Sequence, residues 1–116
     1  MLERHPGLDV CLSHGGGAAA YLSGRFARAV RKRPWASEAL REQGFEHWFR
    51  RLWFDTHVHD EGSLALLTAR TDPSKLVFGT NFAGWDSEAD DTPTGEQAAA
   101  LTANAERLLR LSPSAL

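Results

Sequence analysis

Three short apolar runs recur along the chain, and each leads into polar or glycine residues and then into a longer polar and apolar segment. Short apolar runs of this kind are typical of parallel strands, because both faces of a parallel sheet are covered. Their alternation with helical segments predicts an α/β fold with parallel strands joined by helical crossovers. The predicted strands are Val10–Ser13, Leu52–Phe54 and Leu76–Gly79.

The helical segments are recognised by their apolar periodicity. Within Ala18–Lys32 the apolar residues fall on one helical face, formed by Leu22, Phe26, Ala29 and Val30. Further helices are predicted at Ser37–Gln43, at Glu61–Arg70 and from Thr94 onward, whereas Phe45–Arg51 is aromatic and basic and supports no firm assignment. In the last helix, Asn104 is a candidate to cap a new turn, after which the inward-facing residues are Leu108, Leu109 and Leu111.

The first apolar run ends in His14, and three glycines follow it directly. Reactive groups of α/β proteins collect at the carboxyl ends of parallel strands, and glycines allow a sharp turn and the close approach of a ligand. Taken alone, the motif fits equally well a strand that ends in a glycine turn with a histidine that has no chemical role. Cys11 lies within the same run, so we expect a buried and inert thiol.

Composition and charge narrow the function classes. The chain has 116 residues and a formal net charge of −2, and it is 42% hydrophobic and 24% charged, as is usual for a globular domain. Eight Lys or Arg residues against three Glu make the segment Arg25–Arg51 basic, but no nucleic-acid-binding motif accompanies them. No apolar run has the length of a membrane span. A single cysteine is compatible with a reducing, cytoplasmic location.

A pair of histidines follows the second predicted strand. His57 and His59 are separated by one residue in Asp55-Thr-His-Val-His. Side chains at i and i+2 of a strand share a face, so the two imidazoles could bind one metal ion. The alternative is that only one of them has a role.

Six pieces of this sequence, in order, resemble the amidohydrolase-related metalloenzymes, and in particular the aminocarboxymuconate-semialdehyde decarboxylase-like subgroup. They are Leu2-Glu-Arg-His-Pro-Gly-Leu, Leu12-Ser-His-Gly-Gly-Gly, Leu22-x-Gly-Arg25, Phe54-Asp-Thr with His59-Asp60, Leu76-Val-Phe-Gly-Thr80, and Asn104-Ala-Glu-Arg-Leu-Leu. That family folds as a (β/α)₈ barrel. The resemblance implies that residues 1–111 form the last three βα units of such a barrel and that residues 112–116 are a tail. Because a barrel needs eight strands, we expect the other units to be missing or replaced by association, with a homodimer as the expected assembly.

The resemblance also implies roles for individual residues. In the family a divalent metal, usually zinc, is bound by a His-x-His pair and a later histidine upstream of the matched region, and by an aspartate that ends the last strand. Asn81 occupies the position of that aspartate here and lacks its charge, so metal binding by this chain is expected to be weak; Asp86 is a candidate substitute. His14 matches the histidine that activates water or handles a proton. Arg25 matches an arginine that binds a substrate carboxylate across a dimer interface. Apart from the resemblance, Trp85 is a candidate substrate contact because it lies beside the end of the last strand. By position, His57-Val-His59 belongs to the penultimate strand, where His59-Asp60 is usual and His57 is peculiar to this chain.

Two functions follow from the resemblance. The first is the C-terminal part of a metal-dependent decarboxylase or hydrolase that acts on a small carboxylated compound and is inactive by itself. The second is a non-catalytic remnant or interaction module that keeps the scaffold without the metal. Neither function involves nucleic acid or a membrane as a partner.

Overall fold

A three-stranded parallel sheet organises the protein in the computed structural model, which describes residues 1–87 and 92–111. The strands are β1 (Cys11–Leu12), β2 (Trp53–Asp55) and β3 (Leu76–Val77), and they lie in the order β1-β2-β3. Both pairs are parallel, with Cys11 beside Trp53 and Phe54 beside Leu76 in the two registers. The predicted parallel strands, adjacent in chain order, are therefore confirmed, although each strand differs by one or two residues from its predicted bounds.

Helices form the crossovers between these strands. α1 (Ala19–Lys32), α2 (Glu38–Gln43) and α3 (Phe45–Phe49) connect β1 to β2, and α4 (Glu61–Arg70) connects β2 to β3. α5 (Gly95–Leu108) follows β3 and packs against it. Single 3₁₀ turns occupy His14–Gly16 and Pro73–Lys75. The aromatic segment that the sequence left unassigned is thus the short helix α3, which begins after Gly44.

The core lies between the sheet and its helices. Phe54, on the central strand, is fully buried, and its ring packs edge-on against Phe49 with 5.2 Å between the centroids. The other buried members of this core are Ala20, Leu67, Leu76 and Leu101. The central strand therefore carries the residue around which helices from both crossovers and α5 pack.

The buried face of α1 differs from the predicted one. Its buried residues are Ala20, Ser23, Ala27 and Val30, so only Val30 of the predicted face is buried. Phe26 is 37% exposed and lies against Phe45 of α3, with 5.6 Å between the ring centroids. Periodicity finds the apolar stripe of a helix, but it does not separate that stripe from a neighbouring stripe of small residues that packs more closely.

Two further predictions about burial were wrong. Cys11 is exposed, because β1 forms an edge of the described sheet. Partial desolvation, together with the negative charge of Asp55, nevertheless raises the pKa of the Cys11 thiol, so it remains a poor nucleophile. Leu109 and Leu111 are also exposed, because α5 ends at Leu108 and the chain then leaves the core.

Asn104 does not cap a new turn, because α5 continues through it without a break. Its side chain is buried, and Nδ2 donates hydrogen bonds to the carbonyl oxygens of Pro73 (2.9 Å) and Leu76 (2.7 Å). Arg107 donates to Asn104 Oδ1 at 2.8 Å. Asn104 therefore fastens α5 to the turn that precedes β3.

Residues 88–91, in the predicted acidic loop, and the predicted tail 112–116 lie outside the described residues. Among the helices of the described part, none has the length and apolar character that a bilayer span requires.

Replacing Asn104 with Ala should destabilise the protein by about 1–3 kcal/mol, because two carbonyl groups near the core lose their donor. Urea unfolding followed by circular dichroism measures this change. Thr102→Ala, at an exposed position of the same helix, is the matched control and should change the free energy of unfolding little. Equal effects of the two substitutions would contradict the fastening role of Asn104.

Candidate metal centre and active-site rim

The polar residues that follow the three strands meet at one edge of the sheet, where the carboxyl ends of the strands lie. We call this edge the rim. His14 lies two residues beyond the end of β1 and adopts a φ of 53°, which is uncommon for a residue other than glycine. The three glycines after it all have positive φ, so the chain turns sharply here as the sequence predicts. The His14 ring lies 5.2 Å from the ring of His57, measured between centroids.

Asp55, the last residue of β2, holds two segments of this rim together. Its Oδ1 accepts a hydrogen bond from the Gly15 amide at 2.9 Å and another from the His57 amide at 3.0 Å. One carboxylate oxygen on the central strand thereby fixes both the turn that carries His14 and the segment that carries the histidine pair.

His57, His59 and Asp86 form a compact cluster beside His14. The Oδ2 atom of Asp86 lies 3.1 Å from His57 Nε2 and 3.3 Å from His59 Nε2. All three potential ligand atoms lie within 4.8 Å of one another. The His57 side chain is nearly buried and that of Asp86 is 12% exposed, whereas that of His59 is half exposed.

Asn81 contacts this cluster through the carboxylate. Its Nδ2 donates to Asp86 Oδ1 at 2.6 Å, which leaves Oδ2 directed at the two imidazoles. This hydrogen bond and those from His57 and His59 lower the pKa of Asp86 to about 2, so the carboxylate is ionised at neutral pH.

A cavity of about 350 Å³ opens beside His57 and His59. Its wall combines the segment after β2 with residues around β3 and α5, among them Phe78, Thr94 and Gln97. The histidine pair therefore lies next to a space that a small molecule could enter.

The rim contains most of the residues that the sequence suggested. His14, His57, His59, Asn81 and Asp86 lie together, as the parallel topology predicts. Trp85 is adjacent in sequence to Asp86 but is 95% exposed, with its indole turned to solvent. Arg25 lies on α1 in a basic groove formed with Arg28, Lys32 and Arg33, outside the His57–His59–Asp86 cluster.

Two contributions to the rim were not predicted from the sequence. Asp55 belongs to a recognised motif, but nothing in its spacing indicated that it accepts two amides from separate segments. Asp60, which follows His59, caps α4 by accepting a hydrogen bond from the Ser63 amide at 2.8 Å. A helix N-cap signal, an Asp directly before a helical segment, could have identified this role.

The donor set of the cluster fits a metal ion. Two imidazole nitrogens and one carboxylate oxygen are the ligands of many catalytic zinc sites, which keep a further position open for substrate or water. His57, His59 and Asp86 are therefore a group that could hold a divalent ion.

Residues 1–111 match the sequence profile of the Amidohydro_2 family, described as amidohydrolase. The chain belongs to the amidohydrolase family. This family assignment agrees with the resemblance carried by the six sequence pieces and with their order along the chain.

Two curated relatives of this amidohydrolase-family chain are decarboxylases. It is 29% identical over 82 residues to the 2-amino-3-carboxymuconate-6-semialdehyde decarboxylase of Dictyostelium discoideum, and 31% identical over 82 residues to the enzyme of the same name from Caenorhabditis elegans. Each match covers 71% of this chain, but only 23% and 20% of the two relatives. The chain thus spans between a fifth and a quarter of the length of these proteins.

Two solved structures share the fold of this chain. The crystal structure of Metarhizium anisopliae IDCase in apo form superposes with a TM-score of 0.65 and 19% identity, covering 95% of this chain and 36% of that one. A structure described as an amidohydrolase II gives a TM-score of 0.62, also with 19% identity, and covers 94% of this chain and 37% of its own. The three parallel strands and their helices therefore correspond to part of a TIM-barrel amidohydrolase.

Asn81→Ala should raise the pKa of Asp86 toward the ordinary aspartate value, because it removes the largest cause of the lowering. A lowered folded-state pKa stabilises the native protein above the ordinary pKa, and that stabilisation is lost as the pH falls toward 2. In Asn81→Ala this stabilisation should be smaller, and its loss should still begin near the ordinary aspartate pKa but end at a higher pH. NMR titration of the Asp86 carboxyl carbon measures the pKa, with Thr80→Ala, an exposed neighbour, as control. An unchanged titration in Asn81→Ala would contradict the role of this hydrogen bond.

Proposed function

We propose that this chain forms the C-terminal part of the active site of a metal-dependent amidohydrolase-family enzyme. The reaction is a decarboxylation or a hydrolysis of a small carboxylated compound, and zinc is the proposed metal. The observation that carries the proposal is the position of His14, which lies at the strand ends beside a His/His/Asp group that could hold a divalent ion.

The rim supplies the groups that such a reaction needs. When bound, a divalent ion provides Lewis-acid polarisation of a substrate oxygen. In a decarboxylation, the bond between the carboxylate carbon and its neighbour breaks, CO₂ leaves, and the neighbouring carbon keeps the electron pair and takes up a proton. His14 is exposed at the rim, and an imidazole can deliver that proton near neutral pH. The cavity beside His57 and His59 is the proposed space for the substrate.

The competing function is a non-catalytic scaffold. Asn81, at the position where the family has an aspartate, favours it, because an amide is a weaker metal ligand than a carboxylate and cannot act as a general base. Asp86 favours the enzyme, because it brings a carboxylate back to the same rim.

Reconstitution of the barrel tests the enzyme proposal. The purified chain should release no CO₂ from carboxylated aromatic or muconate-type compounds by itself. Mixed with a polypeptide that supplies the preceding βα units of the D. discoideum decarboxylase, it should release CO₂ in a metal-dependent manner. His14→Gln should lower that rate by about 10²–10⁴-fold, because a proton-transfer group is lost. Tyr21→Phe, at an exposed position of α1, is the control. An assembled, metal-bearing complex without turnover would support the scaffold instead.

A homodimer is the proposed assembly, with Arg25 reaching the substrate carboxylate of its partner. A guanidinium group can bind a carboxylate through two parallel hydrogen bonds, and Arg25 is exposed on α1 within a basic groove. Sedimentation equilibrium over a range of concentrations should show a dimer. Arg25→Ala should weaken binding of the substrate carboxylate. Arg31 is exposed on the same helix, and Arg31→Ala should leave this binding unchanged. A monomer at every concentration would contradict this assembly.

A further inference from the structure

We propose that His57, His59 and Asp86 form a transition-metal site built entirely by this chain, in which Asn81 positions the carboxylate and is not a ligand. The family ligand pattern, as the sequence resemblance implies it, uses upstream histidines and the aspartate at the position of Asn81. The site proposed here replaces that aspartate with Asp86 and adds His57, which that pattern does not include. The inference deepens the proposed function and rests on it only for the use of the ion in a reaction.

The spacing of the ligand atoms supports direct coordination. Zinc binds imidazole nitrogen and carboxylate oxygen at roughly 2.0–2.2 Å, so two ligand atoms on a tetrahedral ion lie about 3.3 Å apart. The distances from Asp86 Oδ2 to His57 Nε2 and His59 Nε2 are 3.1 and 3.3 Å. Asp86 therefore lies at the separation from each histidine that a common ion requires, and the ligand atoms of the two histidines lie within 4.8 Å of each other.

The loop after β3 is folded so that Asp86 reaches this point. The Gly84 amide donates to the Asn81 carbonyl oxygen at 2.6 Å, which closes a tight turn before Asp86. A Cβ atom at Gly84 would lie only 2.2 Å from Asn81 Nδ2, so the turn needs a glycine at this position. Asp86 is five residues beyond Asn81 in the sequence. The turn and the hydrogen bond from Asn81 to Asp86 Oδ1 together bring its carboxylate back to the end of the strand.

The surroundings match those of a functional metal site. Asn81 occupies one carboxylate oxygen and leaves the other for the ion, which is the usual task of a residue that supports a metal ligand. Asp55 fixes the backbone of His57 through its amide. The set of two imidazoles and one carboxylate favours zinc, cobalt or iron(II) over calcium and magnesium, which prefer oxygen ligands alone.

In the structure these contacts are hydrogen bonds between a carboxylate and two imidazoles. The sequence alone favours weak metal binding, because the upstream ligands of the family have no counterpart here. The structure brings Asp86, which the sequence suggested only as a substitute for the family's aspartate at the position of Asn81, against the histidine pair as a third potential ligand.

Metal titration of the full chain, without substrate, tests the inference. Co²⁺ should bind with one equivalent per chain and produce visible absorption bands of a low-symmetry site, and Zn²⁺ should displace it. His57→Ala, His59→Ala and Asp86→Asn should each abolish this stoichiometric binding. Asn81→Ala should weaken it by about 10–100-fold, as expected for a residue that orients a ligand. His5→Ala and His47→Ala, which change exposed histidines elsewhere, are the matched controls and should bind as the parent does.

Two results of the metal titration would overturn the inference: absence of stoichiometric Co²⁺ binding by the parent chain, or binding that survives the His57→Ala/His59→Ala double substitution. Because a variant could fail to fold, the imidazole NMR signals of the parent provide a measurement without substitution. Zn²⁺ should shift those of His57 and His59 at one equivalent and leave those of His5 and His47 in place. Metal-dependent turnover of the reconstituted barrel that survives His57→Ala would refute this site but not the proposed function. Tight metal binding by the parent chain without turnover of the reconstituted barrel would support this site and contradict the proposed function.

Discussion

The rim of this protein depends on one carboxylate oxygen at the end of its central strand. Asp55 Oδ1 accepts hydrogen bonds from the backbone amides of Gly15 and His57, which belong to segments that follow different strands. A parallel sheet brings strand ends to one edge, but it does not fix the loops that leave them. Here the two hydrogen bonds to Asp55 fix these loops. Loss of either one would leave a partly buried amide without its partner. The positions of His14 and of the histidine pair therefore both follow from Asp55.

The sequence predicted the fold well where the pattern is local. Glu61–Arg70 agrees with α4 at both ends, because Asp60 supplies an N-cap and the helix ends before a turn. Parallel pairing in chain order followed from the alternation of strands and helices. The failures concern contacts between elements. Asn104 looked like a cap because asparagine is common there, but its amide serves two carbonyl groups more than twenty residues away.

The candidate site shows the same division. The resemblance gave His14, Asn81 and the histidine pair their places along the chain, and the topology brought them together. The sequence could only suggest Asp86 as a substitute, because the fold of the loop after β3 decides whether it reaches the rim. The family resemblance assigned no role to His57. In the structure, however, Nε2 of His57 and Nε2 of His59 contact the same carboxylate, that of Asp86.

The exposed thiol of Cys11 offers a way to monitor the assembly of this chain with further strands. It lies on β1, at an edge of the described sheet, where the backbone of a further strand would have to pair if a barrel were completed around these three strands. A neighbouring strand would shield this side chain from solvent. The single cysteine of the chain is thus a natural footprinting position, whose rate of alkylation reports whether that edge is open or covered.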